Sequence, residues 1–123
     1  MEFEEKDNVN FSFSIQNKPV AELSPGEILV VETADSFNGQ VLESGQSLAD
    51  IDWNRIGPVT GPFYINGAEP GDALEIEILE IKAAQQGIMA AGPDRGILPE
   101  VDAGAAKILK LSGNSLILAE GLS

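Results

Sequence analysis

Two carboxylates at the end of an apolar run are the residues of this chain best placed for chemistry. Val30-Val31 runs into Glu32-Thr33-Ala34-Asp35-Ser36-Phe37-Asn38-Gly39-Gln40, which brings two acids, two side-chain amides and a glycine within a few positions. Oxygen donors in that arrangement can share a hard divalent cation or hold a water for general-base attack. A plainer reading is that Asp35 and Asn38 shape a turn before Gly39 while Glu32 is solvated. Spacing alone leaves both open. The chain has no histidine and no cysteine. Its own chemistry is therefore confined to carboxylates, amides, hydroxyls and lysines, and disulfides, thiolate metal sites and Ser-His-Asp triads are excluded within it.

Three further segments carry weaker signals. Asn66-Gly67-Ala68-Glu69-Pro70-Gly71-Asp72 combines two carboxylates with glycines that let backbone approach a ligand or take positive φ. It also reads as a turn in which Asp72 hydrogen-bonds its own backbone. Gly57-Pro58-Val59-Thr60-Gly61-Pro62 is a stiff, irregular stretch. Thr60 could act as a nucleophile only with a base beside it, and a shaped wall is the simpler reading. Glu75, Glu77 and Glu80 read as the wet face of a half-buried strand. Trp53 reads as a core anchor.

These residues need strands to hold them, and the sequence reads mostly as short strands. Asn10 to Gln16 alternates strictly, which predicts a strand with Phe11, Phe13 and Ile15 facing a core. Ile28 to Val31 is apolar and β-branched, predicting a strand buried on both faces. Leu23-Ser24-Pro25-Gly26-Glu27 predicts a type II turn. Ser47 caps a short helix that Gly57-Pro58 must end. Ala73 to Lys82 alternates, with a phase slip near Leu79 that predicts a bulge or strand end. Ala83 to Gly104 reads as a long loop or flap. Lys107 to Leu111 and Ser115 to Leu118 flank Ser112-Gly113-Asn114, a hairpin signal. The sum is an all-β fold with sandwich-like antiparallel sheets and one short helix, in a single domain spanning residues 1–123.

Composition bounds the partners. The 43% hydrophobic content suits a folded core, and the net charge of -13 is spread from Glu2 to Glu120. Nucleic acid and anionic membranes, both polyanions, are disfavoured as partners. No apolar run is long enough to span a bilayer, and the N-terminus lacks a signal-peptide pattern. A cytoplasmic protein is the expectation. The chain stops directly after an apolar strand, which raises the expectation that the natural protein continues.

Val31 to Gln40, Pro58 to Asp72 and Leu74 to Ile81, taken in order and spacing, resemble the N-terminal part of the acetamidase/formamidase family over about residues 9 to 123. The resemblance implies a β-structured, oligomeric, metal-associated enzyme that hydrolyses short linear amides such as formamide and acetamide to carboxylate and ammonia. It implies that Asp35 and Glu32 are metal ligands, with Glu32 alternatively a general base. It places Glu69 with them as a catalytic candidate, and Asn38 and Gln40 as substrate-binding candidates. It implies a divalent ion, zinc or calcium, whose remaining ligands lie outside this chain, because the family's later histidine-containing motifs are absent here. A small amide substrate and either a homo-oligomer or a C-terminal partner chain follow from the same resemblance. The alternatives are a non-catalytic β-domain for assembly or binding through unpaired edges, and a cation-binding domain using oxygen ligands alone.

Overall fold

A computed structural model describes residues 2–3, 8–93, 104–113 and 115–119, and among these nine short strands and two 3₁₀ turns make up the regular structure. In chain order the strands are β1 (Glu2–Phe3), β2 (Val9–Asn10), β3 (Ala21–Leu23), β4 (Val30–Val31), β5 (Val59–Thr60), β6 (Phe63–Ile65), β7 (Gln86–Ala91), β8 (Ala105–Ser112) and β9 (Ser115–Leu116). The chain is all-β. β7, β8 and β9 form an antiparallel sheet, and β2 pairs antiparallel with β5. β1 pairs with β4 and β3 with β6 in parallel, which their long intervening connections permit. No helix among the described residues is long and apolar enough to cross a membrane.

The core lies where the segment around residues 41–56 packs on the β7–β8 ladder. Val41, Leu48, Ile51 and Ala106 are buried together, with Phe37, Trp53, Ile56, Ile88 and Ile108 packed against them. Ala106 and Ile108 share one face of β8 by the two-residue period of a strand. Backbone bonds tie the two parts. Gly45 N–H donates to the Ala106 carbonyl at 2.8 Å, Ala106 N–H to Gln46 O at 3.0 Å, and Leu48 N–H to Gly104 O at 3.1 Å. Leu48 sits over the point where Gly92 and Gly104 approach closely. A Cβ on Gly104 would lie 2.7 Å from Leu48 Cδ1 and 3.1 Å from Gly92 Cα. Only hydrogen fits there.

Local chemistry forms several elements as expected. Ser47 caps Leu48–Asp50, its hydroxyl accepting from Ala49 N–H, and Asp52 caps a second turn at Trp53–Arg55 in the same way. The expected short helix is thus two successive 3₁₀ turns. Gly26 has φ 85°, and Glu27 N–H donates to Ser24 O at 3.1 Å, as the turn at Pro25-Gly26 requires. β8 and β9 form the expected hairpin, with Ser112 opposite Ser115.

Four expectations are corrected. The strand read over residues 10–16 ends at Asn10. Asn17 N–H bonds Ser14 O, the Asn17 amide bonds Ser12 O, and Ser14 Oγ accepts from Gln16 N–H. These local side-chain bonds offer the backbone an alternative to a ladder, and Phe13 and Ile15 are left in solvent. The Ile28–Val31 run yields only the two-residue β4, with Ile28 and Val30 exposed rather than buried on both faces. Within the stretch read as a flap, Gln86–Ala91 is a ladder strand against β8. Its small residues hid the period, and its partner's Leu109 and Ile108 fix its register. Ala73–Lys82 is unpaired and exposed throughout, so no bulge exists at Leu79 to explain its phase slip. The remainder of the predicted flap (94–103), Asn114 of the hairpin turn and the last four residues lie outside the described residues.

Candidate functional site

Thr33 and Ala34 continue from β4 into a turn built by Asp35. One Asp35 carboxylate oxygen accepts from Phe37 N–H at 2.7 Å and the other from Gly39 N–H at 2.8 Å, while Asn38 N–H donates to the Asp35 carbonyl at 2.8 Å. Asn38 (φ 54°) and Gly39 (φ 71°) are both left-handed. Asn tolerates that region better than most residues and Gly enters it freely, which explains both residue types. The turn is anchored from outside by Gly57 N–H on Ser36 O at 2.7 Å.

Gln40 is a clamp. Its Oε1 accepts from Asp52 N–H at 2.8 Å, its Nε2 donates to Asp52 O at 3.2 Å and to Arg55 O at 3.4 Å, and its carbonyl accepts from Gln46 Nε2 at 2.8 Å. Its amide thereby holds the second 3₁₀ turn against the Asp35 turn. That places Trp53 against Phe37, edge to face, with centroids 6.5 Å apart. Trp53 thus packs on the core, as expected.

Glu32 differs. Its carbonyl accepts from Thr60 Oγ1 at 3.0 Å, which ties it to β5, but no hydrogen bond or ion pair holds its carboxylate among the described residues. Thr60 therefore serves as a wall and anchor.

Glu32 and Asp35 line one cleft of about 630 Å³, whose other side is Ile81, Lys82, Ala83 and Ala84. The spacing of the acids brought these two together as the sequence suggested. Lys82 was missed: nothing local to residues 79–84 signals that this stretch lines the same cleft as the acids, and its ammonium reaches Glu80 at 3.7 Å in solvent. Asn38, Gln40 and Glu69 do not line this cleft. Glu69 belongs to the Pro70-Gly71 turn, where its N–H donates to Asp72 Oδ2 at 2.9 Å and its carbonyl accepts from Asp72 N–H at 3.0 Å. A second cavity of about 450 Å³ lies between Ser12–Ile15 and Val59–Pro62, beside an Asn10 amide that donates to Gly61 O.

Each Asp35 oxygen that accepts one N–H keeps a lone pair, and the Glu32 carboxylate accepts from no donor among the described residues. The pair thus offers hard oxygen donors to a cation. Among the described residues no group of three or more acids is close enough to hold a metal ion.

Comparison with known proteins bears on this geometry. The model of the acetamidase/formamidase family matches residues 4–116. A protein of Schizosaccharomyces pombe that carries a formamidase name is 36% identical over 98 residues, covering 72% of this chain and 24% of its own. The formamidase of Methylophilus methylotrophus is 33% identical over 64 residues, covering 50% of this chain and 16% of its own. The crystal structure of an acetamidase from Bacillus halodurans superimposes with a TM-score of 0.92 at 36% identity, covering 99% of this chain and 41% of that one. The chain therefore spans about a quarter or less of the curated relatives and under half of that crystallised chain.

Proposed function

The chain belongs to the acetamidase/formamidase family, and on that footing we propose that it supplies the carboxylate wall of an amide-hydrolysing site. The substrate class is the short linear amide, formamide or acetamide, and the products are the carboxylate and ammonia. The observation that carries the reading is the cleft in which Glu32, whose carboxylate has no partner among the described residues, stands with Asp35. Glu32 is the general-base candidate, since a carboxylate without fixed bonds can take a proton from water. Asp35 fixes the turn that presents it. Asn38 and Gln40, proposed from the sequence to bind substrate, act here through the turn and the clamp, and Glu69 stands apart from the cleft.

A divalent cation, zinc or calcium, belongs to the proposal, held by Asp35, with Glu32 as a second ligand where it is not the base, and completed by ligands outside this chain. Bound there, it would polarise the amide carbonyl and acidify water. The residues described here bring hard oxygen donors, orient them through the Asp35 turn and the Thr60 tie, and set Lys82 across the cleft. The rest of the site comes from the polypeptide that the longer relatives possess, in the same chain or in a partner.

The test is ammonia release from formamide and acetamide. The 123-residue chain is assayed alone and as a chimera in which it replaces the matching 41% of the Bacillus halodurans chain. The chimera should turn over amide and the chain alone should not. A soluble, folded chimera that releases no ammonia from either amide would overturn the reading.

A further inference from the structure

Residues 73–84 run between the Pro70-Gly71 turn and β7 without a ladder partner among the described residues. Leu74, Ile76, Ile78, Leu79 and Ile81 are 62–79% exposed, and Glu75 and Glu77 make no ion pair among the described residues. The one ion pair of the segment, Lys82 to Glu80 at 3.7 Å, is itself in solvent. An unpaired edge that alternates apolar and acidic over residues 74–78, before the slip at Leu79, is a template for another strand.

The alternation and the charge together say what kind of strand. Cross-strand neighbours in an antiparallel pair share a face, so the occupant must alternate in step with Leu74, Ile76 and Ile78. A second copy of the segment fits badly. A register that matches the apolar residues sets Glu75 against Glu77 of the other copy, and a register shifted by one sets acids against Leu and Ile. The whole chain, at a net charge of -13, adds repulsion to either. A strand with Lys or Arg at alternate positions removes both objections. No strand among the described residues supplies it. The chain follows the path of the Bacillus halodurans acetamidase over 99% of its length at a TM-score of 0.92 but covers only 41% of that longer chain, which leaves room for such a strand there.

We propose that residues 73–82 are a docking edge for an alternating apolar and basic β-strand from the part of the family's length that this chain lacks. The inference does not depend on amide hydrolysis. It has a consequence for the cleft, because Ile81 and Lys82 at the end of the edge form the wall opposite Glu32 and Asp35. A docked strand orders that wall.

The probe is an eight-residue peptide alternating valine and lysine, titrated into the full 123-residue chain and read by amide hydrogen exchange. Saturable binding with protection at every second amide of residues 73–82 is the expected result, since only alternate N–H groups point toward one edge. The same composition in scrambled order should bind at least about tenfold more weakly, because it cannot match both faces. Glu75→Lys/Glu77→Lys should weaken the valine–lysine peptide by about tenfold or more and favour a valine–glutamate peptide, each cross-strand pair having changed sign. These positions are exposed and outside the core, so the variant keeps its fold, checked by exchange at β8. Equal binding of the scrambled peptide, protection elsewhere than 73–82, indifference to the charge reversal, or a peptide-free dimer protected at 73–82 would each overturn the proposal.

Discussion

Replacing Gly104 with alanine should loosen the junction between the capped 3₁₀ turn and β8, by an amount the geometry sets. The new Cβ would lie 2.7 Å from Leu48 Cδ1, 3.1 Å from Leu48 Cγ and 3.1 Å from Gly92 Cα. Carbon atoms in contact prefer about 3.5–4.0 Å, so the neighbours must move by several tenths of an ångström to an ångström. Leu48 is buried in the core cluster and Gly92 is backbone, so neither yields freely. Overpacking of this kind costs about 1–3 kcal/mol, offset by about 0.4–1 kcal/mol from the stiffer unfolded chain. A net loss of about 1–2 kcal/mol follows. Leu48→Ala alone should cost about 2–5 kcal/mol through the cavity it leaves. It also removes two of the three close contacts, so Leu48→Ala/Gly104→Ala should be less destabilised than the two single losses added, by about 1 kcal/mol. Urea unfolding followed by the fluorescence of Trp53, the sole tryptophan, reads all four proteins. A Gly104→Ala protein as stable as the parent, or strict additivity in the cycle, would refute the reasoning.

Other outcomes follow from the same structure. Asp35→Ala removes two acceptors of turn N–H groups and should cost about 0.5–2 kcal/mol, as the loss of a helix cap does; Asp35→Asn, which keeps one acceptor, should recover part of it in thermal melts. Gln40→Glu should destabilise more than Gln40→Ala in the same melts, because it turns a donor into an acceptor facing the carbonyls of Asp52 and Arg55. Thr60→Val should speed exchange of the Gly61 amide and its neighbours in β5, with Thr60→Ser restoring it, since the hydroxyl alone ties β5 to Glu32.

What was legible in the sequence was whatever local chemistry decides. Ser47 caps a turn, Pro25-Gly26 and Pro70-Gly71 reverse the chain, and Gly113 lies between strands that pair, whereas the second cap, Asp52, was not read from the sequence. The acids around Asp35 were readable both as a site and as a turn, and the turn is what the hydrogen bonds build. Pairing was not legible, because register is a long-range property. Gln86–Ala91 is a strand only because β8 lies beside it. Ala73–Lys82, with the better alternation, has no ladder partner among the described residues. The cleft joins residues 30–35 to 81–84, some fifty positions away, and no local pattern announces Lys82. Family resemblance reached further than periodicity, since the order of three motifs carries information that no single motif holds.

The most direct test of the account compares Glu32→Gln with Asp35→Asn in the chimera, measuring kcat/KM for ammonia release from formamide and acetamide beside each variant's melting temperature. With Glu32 as the working carboxylate, Glu32→Gln should lower kcat/KM by about a hundredfold or more while leaving the melting temperature unchanged, because that carboxylate has no hydrogen bond among the described residues to lose. Asp35→Asn should shift both. Full turnover by Glu32→Gln would contradict the account and remove the carboxylate wall from the chemistry.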